Sequence, residues 1–313
     1  MLGFLAPILF VAGVVLAIWS AETLLKGLVG LALAVRVSAF AMGVVLSGLE
    51  AENVAVGIAA GNAGAASVAL GSVFGGAIFL VCVALGVGAA LYPMEVRLPR
   101  GFLIVFVLAP VAAGLGIIFP VTPRWVGGLL LVVFSVAISY LVWESRREGF
   151  LVISTEMEEV TEARPPLWRG IALTALGISA ISVAGELVAQ GAIGIIEGFG
   201  ISAVLVGAIV TPAAIEAEEV ARQAIPSKRG RHDVAAANLV GTLLYFVLFN
   251  FGLIALITPI PVPWTVRWLD WPFLVATTSL ATGFLWTGRV GRNAGILLVT
   301  LYGVYVLIQV ALL

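Results

Sequence analysis

Ten apolar stretches of about 20 residues recur along these 313 residues, and few folds are open to a chain so built. At 1.5 Å of rise per residue, about 20 residues cross the roughly 30 Å of bilayer hydrocarbon as a helix. No water is available there, so every backbone N–H and C=O must be paired, which a helix does within its own segment. The stretches lie near residues 4–23, 38–61, 66–91, 102–119, 124–143, 168–190, 199–221, 233–257, 270–287 and 292–312. Hydrophobic residues make up 62% of the chain and charged residues 11%, whereas a soluble domain carries about 25% charged. The expected fold class is therefore an all-α polytopic membrane protein of ten transmembrane helices. The first stretch has no basic residue ahead of it and reads as a transmembrane helix, not as a signal peptide.

The placement of charge gives this topology a direction. If the loops alternate sides, fourteen of the sixteen Lys and Arg residues share one side, leaving Arg124 and Arg267 on the other. Cytoplasmic loops carry the basic excess, so both termini are expected outside the cytoplasm, with the protein in the plasma membrane. The longest polar break, residues 144–167, becomes a cytoplasmic linker between an N-terminal unit, 1–143, and a C-terminal unit, 168–313. Its acids Glu156, Glu158, Glu159 and Glu162 lack the spacing of an EF-hand and read as a solvated face. Arg222, Lys228, Arg229, Arg231 and His232 read as a basic cytoplasmic loop that sets topology or meets anionic lipid. The lipid bilayer is thus a partner, while nucleic acid is not. Cys82, the one cysteine, lies in an apolar run and reads as core filler. Oligomeric state is not legible.

Within this apolar chain one acidic motif occurs twice. Leu49-Glu50-Ala51-Glu52-Asn53-Val54-Ala55 recurs as Ile215-Glu216-Ala217-Glu218-Glu219-Val220-Ala221, 166 positions later. A charged side chain at the bilayer centre costs roughly 2.5–3.5 kcal/mol, so Glu50, Glu52, Glu216 and Glu218 together call for cations, protons or a wet cavity. Glu22 and Glu186, 164 positions apart, match in the same order and read as snorkelling to the interface. Each half then holds five helices, and because five is odd the second half enters the membrane from the opposite side. Two inverted five-helix repeats follow, an arrangement that in transporters encloses a site near the midplane and works by alternating access. The plainer reading is that the glutamates cap helices at the interface.

Ser47-Gly48 precedes the first motif and Thr211-Pro212 the second. Gly weakens helix and Pro removes a backbone donor, so local unwinding is expected there, freeing oxygens for a hard cation. In a regular helix the two members of Glu-x-Glu stand about 200° apart, and unwinding is also what lets both face one cavity. Glu52 and Glu218 are the favoured central pair, with Glu50 and Glu216 as further ligands or proton acceptors. The next helix of each half carries Gly71-Ser72-Val73-Phe74-Gly75-Gly76 and Ala237-Asn238-Leu239-Val240-Gly241-Thr242. These small residues suit close helix packing, and Ser47, Ser72, Thr211, Asn238 and Thr242 can offer oxygens.

On these segments the chain resembles the cation/Ca2+ exchanger superfamily, whose repeats pair a glutamate-bearing segment with a Gly-Asn/Ser-x-x-Gly-Ser segment about 20 residues on. The resemblance implies an exchanger with intramembrane glutamates as cation ligands. If the alignment slips by one residue, Asn53 and Glu219 take the key positions. Ala77, Leu80, Leu243 and Phe246 stand where the family has polar residues. The expected function is secondary antiport of a divalent cation, Ca2+ by the resemblance, against Na+ or H+. Carboxylates in low dielectric can hold protons, so exchange of two protons for one divalent ion is chemically natural. An Mg2+ or transition-metal exchanger is the alternative within transport, and a cation channel or sensor is the alternative of another class. No cofactor is expected beyond the transported cations. An enzyme is disfavoured, since no nucleophile or His-rich motif accompanies the glutamates.

Overall fold

Seven helices are long and apolar enough to cross a membrane in the computed structural model, which describes residues 2–34, 50–148 and 166–312. Helix α1 (Leu2–Ala34) is followed, after the segment 35–49, by α2 (Ala51–Asn62) and α3 (Ala66–Leu91). A two-residue strand β1 (Met94–Glu95), α4 (Arg100–Ile117), β2 (Val121–Thr122) and α5 (Arg124–Glu148) complete the first half. The second half runs α6 (Leu167–Phe199), α7 (Ala203–Ile215), α8 (Ala217–Lys228) and α9 (His232–Ile257). It ends with β3 (Ile260–Pro261), a π-wound Val266–Asp270 leading into α10 (Trp271–Trp286), β4 (Arg289–Val290) and α11 (Arg292–Ala311). Ser47, the start of the stretch 38–61 and the acids of the linker lie outside the described residues.

Three boundaries differ from the sequence reading. The sequence stretches end at residues 23 and 190, close to the charged Glu22, Lys26 and Glu186, yet α1 and α6 each continue through 33 residues. A long helix keeps such charges by pairing them one turn apart at its surface: Lys26 Nζ donates to Glu22 at 3.4 Å, and Gln190 to Glu186 at 2.7 Å. Conversely, the stretch 199–221 is not one helix. Pro212 has no N–H to close a turn, the preceding residues Val206–Val210 widen into a π turn, and the helix stops at Glu216 (φ −85°, ψ 5°) before α8 begins.

Burial separates centre from periphery. The most apolar stretch of α3 is 94% buried and that of α9 78%, against 22–39% for α1, α5, α6 and α11. The small residues of α3 make this possible. A Cβ on Gly75 would fall 2.9 Å from Pro212 Cγ and 3.0 Å from the Ala208 carbonyl carbon, so α3 and α7 meet backbone to backbone. The two 33-residue helices α1 and α6 pack along each other, with Gly13 and Gly27 facing the backbone of α6.

The halves also interlock at both ends. Antiparallel β1 and β4 pair with Met94 opposite Val290, and β2 and β3 pair with Val121 opposite Pro261. Each pair joins one strand of each half. Gly64 (φ 76°) and Gly230 (φ 74°) make the left-handed turns after α2 and α8, a conformation that side chains rarely adopt, and they are 166 positions apart like the two acidic motifs.

Candidate cation site

Both acidic motifs fall at the start of a 12-residue helix. Glu50 (φ −105°, ψ 64°) precedes α2, with Glu52 in its first turn. Glu216 stands in the break before α8, with Glu218 and Glu219 in the first turn. Unpaired N–H groups and the positive end of the helix dipole favour negative charge there, which is part of why carboxylates are tolerated so deep. Glu50 itself lies outside helical geometry, so Glu50 (1% exposed) and Glu52 (2%) are both buried, which the separation of about 200° in a regular helix would not readily allow.

The structure brings the two halves together at these residues. Asn53 Nδ2 donates to Glu216 Oε1 at 2.8 Å across 163 residues of sequence, and Asn238 Nδ2 donates to Glu219 Oε2 at 3.1 Å. Glu50 lies within electrostatic reach of Glu52, Glu216, Glu219 and Arg222. In the second motif Glu219 is fully buried, while the Glu218 side chain is 23% exposed and bonded to Arg222 at 2.8 Å. In the first motif Glu52 and Asn53 are both buried, while in the second Glu219 is buried and Glu218 partly exposed; Asn53 and Glu219 are 166 positions apart and correspond.

Arg222 is not in a loop. It lies within α8, where the i,i+3 and i,i+4 spacings bring it to Glu219 (2.8 Å) and Glu218, and it also reaches Glu50 at 3.3 Å. Its basic neighbours made residues 222–231 look like a loop, but helical spacing to two acids and a third from the other half decided otherwise. Lys228 is the last residue of α8, and His232 opens α9 with Nδ1 accepting from the Glu95 N–H at 3.1 Å.

Of the expected hydroxyl and amide donors, Ser72 is wholly buried but returns its proton to the Ala69 carbonyl at 3.0 Å, leaving its lone pairs for another partner. Thr211 Oγ1 and Thr242 Oγ1 are buried without a hydrogen-bond partner among the described residues, as are Glu52 Oε2 and Asn53 Oδ1. Buried polar oxygens are normally satisfied, and these are of the kind that a cation preferring oxygen ligands takes. Among the described residues no three His, Cys, Asp or Glu side chains gather as a ready metal cluster; the carboxylates gather on Arg222 instead.

Two residues escape sequence reasoning. Asn250 is fully buried, and its Nδ2 donates to the Glu50 carbonyl at 3.3 Å. At about 100° per residue it would stand about 80° from Thr242, and the π turn at Tyr245–Asn250 alters that offset. A π turn leaves no mark in hydrophobic periodicity. Gln223 is fully buried beside Gly88 of α3, with neither amide atom hydrogen-bonded among the described residues; only its place close behind the acidic motif could have signalled it.

The fold resembles structures of the sodium-calcium exchanger NCX_Mj. The form soaked with 2.5 mM Na+ and 10 mM Sr2+ superposes with a TM-score of 0.61 at 20% identity, over 97% of this chain and 98% of that one. The form with 10 mM Na+ and zero Ca2+ gives 0.60 at 22% identity and the same coverage. Among named proteins, the chain is 26% identical over 262 residues to "Putative antiporter CaxA" of Alkalimonas amylolytica, covering 81% of each. It is also 26% identical over 308 residues to "Inner membrane protein YrbG" of Escherichia coli (strain K12), covering 94% of this chain and 93% of the relative. The sequence pattern of the family described as "Sodium/calcium exchanger protein" matches residues 5–143 and 169–311, nearly the whole chain, and this integral membrane protein belongs to that family.

Proposed function

We propose that the protein is a secondary cation antiporter working by alternating access, with a divalent cation, Ca2+ foremost, exchanged for Na+ or H+. The observation that carries this reading is the convergence of Glu50, Glu52 and Asn53 with Glu216, Glu219 and Asn238 in one buried cluster built from both halves. Family membership and the printed name of the CaxA relative support antiport. The cluster offers oxygens of the kind a hard cation takes, which suits the transport that the family name describes.

The ligand set we propose is Glu50, Glu52, Asn53, Glu216 and Glu219, joined by oxygens of Ser72, Thr211, Asn238 and Thr242, with Ser47 from the segment before α2 and Glu218 at the rim. The chain is then organised as two inverted five-helix repeats, 1–143 and 168–313, ten helices in all, with both termini outside the cytoplasm. Support comes from the paired features 166 positions apart and from the two strand pairs, which exchange under a two-fold relation of the halves. Reconstitution into liposomes with 45Ca2+ and an imposed Na+ or pH gradient tests the function. Gradient-driven uptake is expected. Uptake that needs no counter-ion gradient would favour a channel, and no uptake of any divalent cation would refute the reading.

A further inference from the structure

A cluster of buried carboxylates ordinarily needs a cation from outside, and this protein carries one of its own. Arg222 Nη1 reaches Glu219 Oε1 at 2.8 Å and Glu50 Oε1 at 3.3 Å, while Nη2 reaches Glu218 Oε1 at 2.8 Å. Its planar fork is suited to meeting several carboxylates at once. Glu50 is 172 residues away in the other half, so the guanidinium closes the cluster between halves, as a bound cation would. The position 166 residues earlier is Val56, which is buried, and carries no matching charge. Among the described residues the arrangement is therefore one fixed cation beside a doubled acidic motif.

Two further observations bear on how it behaves. The Arg222 side chain is 21% exposed whereas Glu50 and Glu219 are at 1% and 0%, so the cation, like Glu218 at 23%, has a route toward water that these two carboxylates lack. Glu52, within electrostatic reach of Arg222, keeps Oε2 buried and without a hydrogen-bond partner among the described residues, so ligand capacity is unused while Arg222 holds Glu50 and Glu219. Two like charges cannot share the same oxygens without mutual repulsion on the order of several RT at this range.

We propose that Arg222 is a tethered counter-cation: it takes the place of the transported ion in the empty site, and an incoming cation must displace it from Glu50 and Glu219. This deepens the antiport reading and rests on it. Arg222 thus lowers the affinity of the site and sets the charge an ion must bring to win the carboxylates, favouring divalent over monovalent cations.

Equilibrium 45Ca2+ binding to the purified full chain in detergent tests this with Arg222→Gln and Arg222→Lys. Arg222→Gln should bind Ca2+ at least ~10-fold more tightly than the wild type, because competition from a unit charge is removed, and Arg222→Lys, which keeps the charge but loses the planar fork, should fall between the two. Equal or weaker binding by Arg222→Gln, with Ca2+ still bound by the wild type, overturns the tethered cation and leaves the antiport reading standing. No binding of Ca2+, Mg2+, Mn2+ or Na+ by either protein overturns the antiport reading itself. A measurement without any variant guards against misfolding: phenylglyoxal labelling of the wild type, read at Arg222 by peptide mass spectrometry. Ca2+ should increase labelling there by freeing the guanidinium; unchanged or decreased labelling refutes displacement.

Discussion

The hydrogen bond from Asn53 to Glu216 offers a direct test of how the halves meet. Asn53 is fully buried, and its Nδ2 stands 2.8 Å from Glu216 Oε1. Asn53→Asp keeps the shape, removes the donor and sets a second carboxylate against the first. A hydrogen bond to a charged group is worth about 1.5–3 kcal/mol. Two unit charges about 4 Å apart repel by ~4 kcal/mol at an effective dielectric of about 20, an upper bound because the pair can take up a proton or a cation. A loss of at least ~2 kcal/mol is expected. Glu216→Gln alone should change little, since the new amide oxygen still accepts from Asn53. Combining the two substitutions reverses the bond: the glutamine amide introduced at position 216 becomes the donor and the carboxylate introduced at position 53 the acceptor. Most of the lost stability should return, giving a coupling of ~2 kcal/mol or more in a double-mutant cycle followed by thermal unfolding in detergent. Losses that add within about 0.5 kcal/mol would refute the claim that this contact joins the halves.

Three further comparisons of paired substitutions probe the structure. Glu219→Gln should cost about 3 kcal/mol in thermal unfolding because it breaks a buried pair with Arg222, while Glu218→Gln, at the partly exposed rim, should cost under ~1 kcal/mol; the reverse order would favour Glu218 as the inner residue. Arg267 donates to the carbonyls of Ile117 (2.9 Å) and Phe119 (2.7 Å), so Arg267→Ala should destabilise by ~2 kcal/mol and speed amide exchange around β2 and β3, with Arg267→Lys intermediate. Gly75→Leu should cost at least about 1–3 kcal/mol by forcing α3 from α7, whereas Gly128→Ala, with open space at its Cβ, serves as a silent control; equal melting of the two would contradict the close approach.

Much of this protein is legible because bilayer chemistry simplifies the reading. Long apolar runs locate α3, α4 and α9 to within about two residues, since helix is the structure that keeps backbone groups paired in hydrocarbon. Charged residues mislead where a helix can present them at its surface, which is how α1 and α6 outrun their expected ends at residues 23 and 190. The register of the acidic motif is ambiguous in one dimension: Glu218 and Glu219 are neighbours, and only the break at Glu216 turns Glu219 inward and leaves Glu218 at the rim.

A membrane-embedded helical chain, a doubled acidic motif and the pairing of each motif with a small-residue helix can all be read from chain order, because hydropathy, spacing and repetition are properties of that order. Which side chains share the cluster is settled by packing. Asn53 meets Glu216 across 163 residues, Asn250 reaches Glu50 through a π turn, and Arg222, which as a neighbour of other basic residues looks like a loop charge, closes on Glu50 from the other half. Sequence separation carries no distance, and a buried charge takes as partner whichever opposite charge the packing brings within reach, because in a low-dielectric interior an unpaired one is too costly to keep.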